Sequence, residues 1–89
     1  MVYAVLLHPK AAKELEKIEA PARFRIKERL RDLKDNPEKA GKILKPSEFY
    51  SLRIGDYRAI YEIGRGKNQV TVLFVGHRKK VYDNFSRML

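Results

Sequence analysis

The sequence contains no cysteine among its 89 residues, and only five glycines and four prolines. Without cysteine there can be no disulfide staple, thiolate zinc site or cysteine nucleophile, and the chain suits a reducing compartment. Long apolar runs are also missing. None approaches the ~18–20 residues needed to span a membrane. The N-terminal stretch MVYAVLLHPK lacks a basic leader region, and its apolar run is too short for a signal peptide. A cytoplasmic location with no membrane partner is therefore expected. Internal repeats and low-complexity tracts are absent as well. Acidic residues are the scarce charge: 11 Asp and Glu stand against 20 Lys and Arg, a net charge of +9. Such an excess says little about the fold. It points to a polyanionic partner such as RNA, DNA, a ribosome or an acidic protein.

What is present reads as one globular domain over residues 1–89, with 44% hydrophobic and 35% charged residues. Residues 3–7 form a short β-rich run ended by His8-Pro9. Ala11, Leu15 and Ile18 recur at helical spacing and predict a helix over 9–19, opened by Pro9. Pro21 opens a second helix with the stripe Ala22, Ile26, Leu30 and Leu33, stopped at Asn36-Pro37. Residues 38–47 read as a basic connection. The pattern then changes to period two, predicting strands over 49–54, 57–63 and 69–75, and a terminal helix over 80–89. In that helix Val81, Phe85, Met88 and Leu89 are expected to face inward. The order β-α-α-β-β-β-α describes an α+β domain. An antiparallel helical hairpin packs on a mainly antiparallel four-stranded sheet, with a short C-terminal helix. The place of the first strand in the sheet is left open.

The stretch SLRIGDYRAIY, residues 51–61, carries the most information. Gly55-Asp56 fits a two-residue type II′ turn, glycine first. That register pairs Ile54 with Tyr57, Arg53 with Arg58, Leu52 with Ala59, Ser51 with Ile60 and Tyr50 with Tyr61. Alternation puts Tyr50, Leu52, Ile54, Tyr57, Ala59 and Tyr61 on the face toward the helices, and Ser51, Arg53, Arg58 and Ile60 on the other. Two arginines directly opposite each other repel, at a cost of a fraction of about 1 kcal/mol. A phosphate held between their guanidinium groups relieves that repulsion. A solvated face with splayed side chains is the other reading. In the last strand, simple alternation gives Arg78 the parity of Val70, Val72 and Phe74, and His77 the opposite one. No carboxylate cluster suggests a metal.

The element order, YSLRIGDYRAIYEI (50–63) and VLFVGHRKKVY (72–82) together resemble the RelE/ParE toxin superfamily, and more closely its RelE-type ribosome-dependent mRNA endonucleases. The resemblance covers nearly the whole chain. It implies a toxin of a type II toxin–antitoxin system that cleaves mRNA in the ribosomal A site. The 2′-hydroxyl attacks the adjacent phosphate, and neither metal nor cofactor takes part. It also implies catalytic roles for Arg53, Arg58, Arg78 and Tyr82. The family pattern has two lysines where this chain has Ser51 and Arg53. Arginine holds its proton too tightly to act as a base, so Arg53 is expected to hold phosphate or steady the 2′-oxygen. His77 is a possible acid–base group by chemistry, though alternation turns it away from Arg78. Tyr82 is either a base-stacking or proton-transfer group or a core residue of the last helix.

Arg23, Arg25, Lys27, Arg29, Arg31 and Lys34 line the second helix, and Lys79 and Lys80 follow Arg78. These eight are the candidate contacts to ribosomal RNA, with a solvated face as the alternative. The resemblance further implies an acidic, RelB-like antitoxin as partner, alongside the ribosome and mRNA. Two other functions stay open: a ParE-like inhibitor of DNA gyrase, and an RNA- or ribosome-binding module with weakened catalysis.

Overall fold

The short run after the N-terminus becomes β1 (Ala4–Leu7), and His8 closes it by capping the next helix, its Nδ1 accepting from the Lys10 N–H at 3.2 Å. With Pro9 in the first turn, α1 runs Pro9–Glu16 and α2 runs Ala22–Arg31, extended by a 3₁₀ turn at Asp32–Lys34. A computed structural model describes residues 2–44, 48–64 and 66–88, leaving aside the side chains at 82, 84, 85 and 88. A short α3 (Pro37–Ala40) and a two-residue β2 (Lys42–Ile43) come next. They are followed by β3 (Tyr50–Ile54), β4 (Tyr57–Gly64), β5 (Gln69–His77) and α4 (Arg78–Met88).

The α+β architecture is as expected, but the sheet has five strands, not four, in the order β1-β5-β4-β3-β2. The additional strand comes from residues read as a connection. Its effect on topology is larger than its length. By inserting one more chain reversal, β2 makes β3 run parallel to β1. As a result β1 pairs with β5 in parallel, Ala4 opposite Gln69 through Leu7 opposite Val72. All other pairs are antiparallel. The sheet is thus mainly antiparallel, as expected, and the first strand, whose place was open, lies at the edge beside β5.

The β3–β4 hairpin has the predicted register at all five positions, including Arg53 opposite Arg58. Gly55 sits at φ +60° while Asp56 does not enter the left-handed region, which is the type II′ arrangement. On the helix-facing side, Ala11, Leu15, Ile26, Leu30 and Leu33 pack against Tyr50, Leu52, Ile54, Ala59, Tyr61, Val70, Val72 and Val75. Each fully buried aliphatic or aromatic side chain there contributes roughly 1.5–3 kcal/mol of transfer free energy. The opposite face carries a smaller cluster of Ile60, Phe74 and Val81, flanked by Leu44, Phe49 and Leu73. β5 is thus covered on both faces, as its two-sided apolar pattern suggests.

Alternation along β5 does not persist. Ile60 pairs with Phe74 but Tyr61 pairs with Val72, so Leu73 is an additional residue forming a β-bulge. Val70 and Val72 face the helices, whereas Phe74 belongs to the other cluster. Beyond the bulge, Gly76 lies opposite Arg58 and His77 opposite Tyr57. Arg78 does not continue the strand; it is the first residue of α4, two positions earlier than expected. Val81 is buried as predicted. The inward positions assigned to Phe85, Met88 and Leu89 fall outside the described residues.

Candidate functional site

β2 covers only part of β3. Lys42 pairs with Ser51, and no β2 residue reaches Arg53. The uncovered end of β3 opens into a groove of about 410 Å³ whose polar side chains are Arg29, Lys42, Ser51, Arg53 and Arg58. Its wall is formed by residues 40–44. Among the described residues lining it, none is acidic. Arg53 is exposed, Arg58 is half-buried with its Nε shielded from solvent, and Ser51 is buried. Gly76, the β5 neighbour of Arg58, has no side chain to crowd it. The space over Gly76 is taken by Val81, whose Cγ2 would lie 3.2 Å from an added Cβ.

The wall is held by a tyrosine from the core. Tyr61 is fully buried, stacks on Tyr50 with ring centroids 5.4 Å apart, and donates its hydroxyl to the Pro37 carbonyl at 2.5 Å. Burial raises its phenol to about 12, although a backbone hydrogen bond from Gly41 works in the opposite direction and Tyr50 adds to the rise. Gly41 passes so close that an added Cβ would lie 2.6 Å from the Tyr61 Oη and 2.7 Å from the Ser51 carbonyl oxygen. The glycine is needed here for close approach, since its φ of −114° is open to any residue. Tyr61, Pro37 and Gly41 therefore lock the start of β2 against β3, and with it the rim of the groove.

Arg78 lines a different cavity. This one has a volume of about 550 Å³ and is bounded by Asp56, His77, Arg78, Lys79 and Asp83. It sits at the ends of β4 and β5, where the Arg78 N–H donates to the Asp56 carbonyl at 3.0 Å. Among the described side chains, the residues assigned as catalytic line two neighbouring cavities. Arg53 and Arg58 share the first groove, and Arg78 belongs to the second. The side chain of Tyr82 lies outside the described residues. His77, turned away from Arg78 by simple alternation, lines the same cavity as Arg78 and meets the Tyr57 ring edge-on at 6.0 Å. The bulge and the early start of α4 cause the difference.

Of the docking cations, Arg25, Arg29, Arg31, Lys34, Lys79 and Lys80 are exposed, while Arg23 and Lys27 are half-buried. Three already face carboxylates: Lys27 with Glu16 at 3.7 Å, Arg29 with Asp32 at 3.5 Å and Lys80 with Glu14 at 3.9 Å. Such exposed pairs are worth at most about 1 kcal/mol, and an incoming phosphate can replace them. Two groove residues were missed in the sequence. Lys42 was hidden because 38–47 lacks a long alternating pattern. Gly41 was missed because its role depends on a contact twenty residues away. Arg29 was identified, but as a docking residue on α2 and not as part of the groove.

This fold is similar to that of RelE toxins. The toxin–antitoxin complex RelBE2 from Mycobacterium tuberculosis matches at 30% identity, over 88% of this chain and 100% of that one, with a TM-score of 0.82. A double mutant of the E. coli toxin RelE in the free state matches at 26% identity over 100% of both chains, also with a TM-score of 0.82. The archaeal RelE–RelB complex from Pyrococcus horikoshii OT3 matches at 27% identity, over 88% of this chain and 97% of that one, with a TM-score of 0.75. No curated protein sequence matches significantly. A family model for the ParE toxin of type II toxin–antitoxin systems matches residues 5–82, and the chain belongs to that toxin family within the RelE/ParE superfamily. No described helix is long and apolar enough to cross a membrane.

Proposed function

We propose that this toxin is a ribosome-dependent endoribonuclease that cleaves mRNA in the A site by 2′-hydroxyl attack, without metal or cofactor. The observation that carries the reading is the Arg53–Arg58 cross-strand pair in a groove free of described acidic lining residues. Like charges placed directly opposite cost stability unless an anion lies between them. Guanidinium groups suit a phosphodiester because their donors are planar and stay charged. In this reading Arg53 and Arg58 hold the scissile phosphate and stabilise the charge that builds on its oxygens. Arg78, next door at the strand end, assists the departing 5′-oxygen, with His77 beside it as a possible acid–base group. Tyr82 stacks on a base or shares in proton transfer. The products are a 2′,3′-cyclic phosphate and a 5′-hydroxyl. Arg23, Arg25, Lys27, Arg29, Arg31, Lys34, Lys79 and Lys80 hold ribosomal RNA by its backbone, and the ribosome supplies the orientation that the site itself lacks.

The +9 chain suits an acidic partner. The similarity to toxins solved as RelB–RelE complexes supports a RelB-like antitoxin in that role. Action takes place in the cytoplasm, where ribosomes are found. A second reading rests on the family model, which is that of ParE: inhibition of DNA gyrase by protein binding. The two separate in one experiment. The chain is incubated with translating ribosomes and mRNA ends are mapped by primer extension, in parallel with gyrase on supercoiled DNA. A-site cuts support the nuclease. Their absence together with gyrase-dependent DNA breaks overturns it, and absence of both points to a binding module with weakened catalysis.

A further inference from the structure

The groove poses a chemical problem. Attack by a 2′-oxygen requires its proton to go somewhere, and three of the five polar side chains among the described residues lining the groove are arginines. Guanidinium groups stay protonated in proteins and cannot accept it. Ser51 is buried on β3, and a hydroxyl is a weak base. That leaves Lys42. A lysine amine can give up and regain a proton, which is why lysine serves as a general base where arginine cannot.

Its placement fits the task. Lys42 is the direct cross-strand partner of Ser51, and Ser51 shares its sheet face with Arg53 and Arg58. Directly opposed residues point to the same side with Cβ atoms ~4.5–5.5 Å apart. The amine thus projects from the neighbouring strand onto the face that carries the arginine pair, and it is exposed to the groove. The segment that delivers it is the one locked by Tyr61 to Pro37 and by the close approach of Gly41. A two-residue edge strand would otherwise be a poor platform for a reacting group.

We infer that Lys42 is the proton acceptor of the groove, an inference that rests on the nuclease reading above. In the step, the 2′-hydroxyl proton passes to the Lys42 Nζ as the 2′-oxygen bonds to phosphorus. The bond from phosphorus to the 5′-oxygen breaks, its electron pair leaves on that oxygen, and solvent supplies the proton that makes it a hydroxyl. Lys42 then returns its proton to solvent.

The test compares wild type, K42R and K42A in the ribosome-programmed cleavage assay from neutral to mildly alkaline pH. Ribosome binding and thermal melting are measured alongside. K42R keeps the positive charge but cannot exchange the proton. If Lys42 is the acceptor, both variants lose roughly 10²–10³-fold in cleavage rate. Binding and melting stay near wild type, and added primary amine partly restores K42A. If K42R cuts like wild type with the same pH profile, Lys42 supplies only charge and the inference is overturned. The same holds if K42A cuts like wild type. A wild-type chain that makes no cut at all overturns the nuclease reading itself, a pattern distinct from a cutting wild type with silent variants.

Discussion

The two cavities flanking the β3–β4 hairpin are both basic, yet differently built. The groove at the sheet edge collects Arg29, Lys42, Arg53 and Arg58 with no described acidic lining residue. The cavity at the strand ends sets His77, Arg78 and Lys79 beside Asp56 and Asp83. In the second, local carboxylates offset the charge within the protein. In the first, no described lining residue is acidic, and Arg29 meets its carboxylate, Asp32, on its own helix at 3.5 Å. The contrast shows that the protein's net +9 is not spread as a uniform coat. It is undiluted by described carboxylates in the edge groove and mixed with them at the strand ends. Such uneven placement does more for positioning than a larger overall charge would.

The largest expected effect breaks the comparison outright. Arg58→Ala should lower A-site cutting by roughly 10²–10³-fold while ribosome binding survives, because it removes a preorganised donor from the edge groove. Arg78→Ala should also impair cutting, but less. If single-turnover rates show the reverse order, the scissile phosphate sits in the strand-end cavity.

Next comes the wall that shapes the edge groove. Gly41→Ala pushes a methyl group against the Tyr61 hydroxyl and the Ser51 carbonyl, so chemical denaturation should show a loss of about 1–3 kcal/mol. The start of β2 should shift, and cutting should fall with it. The strand-end cavity, lying away from Gly41, should keep its NMR shifts at His77.

Tyr61→Phe is a milder probe of the same lock. It removes the hydrogen bond to Pro37 and should cost about 0.5–1.5 kcal/mol. Its pH dependence has a definite sign. The folded phenol holds its proton up to about 12, against 10.0 for an ordinary tyrosine. The unfolded chain therefore loses that proton first. The contribution is complete below pH 10 and is lost as pH rises through 12. Melting followed over that alkaline range should fall less steeply in Tyr61→Phe than in wild type. Equal slopes would mean that Tyr61 is not the titrating group.

The smallest effect sharpens the contrast between the cavities. Replacing Asp56 and Asp83 together by Asn should raise affinity for RNA only a few-fold, and should steepen its dependence on salt. An unchanged salt slope would show that the strand-end cavity does not meet phosphate.

Much of this was legible in the sequence, and the reason differs by region. The β3–β4 hairpin could be read residue by residue because a two-residue turn with glycine first leaves one register, and the apolar alternation agrees with it. The helix stripes were legible for a similar reason: Ala11, Leu15, Ile26, Leu30 and Leu33 recur at the spacing of one helix face. By contrast, a strand of two residues has no period to detect, so β2 was hidden, along with Lys42. The bulge at Leu73 was hidden too, since both faces of β5 are apolar and a slip by one leaves the pattern unchanged. That slip decided which face Phe74 and His77 joined.

The sequence by itself determined the longer helices and strands, the hairpin register and the opposition of Arg53 and Arg58, because local turn geometry and periodicity act over a few residues. Only the tertiary structure decided that β1 lies parallel to β5, that Arg78 opens α4 and lines the cavity at the strand ends, and that Lys42 lines the groove of the arginine pair. Each of these depends on segments distant in the chain being brought edge to edge, where one additional strand or one bulged residue changes the outcome.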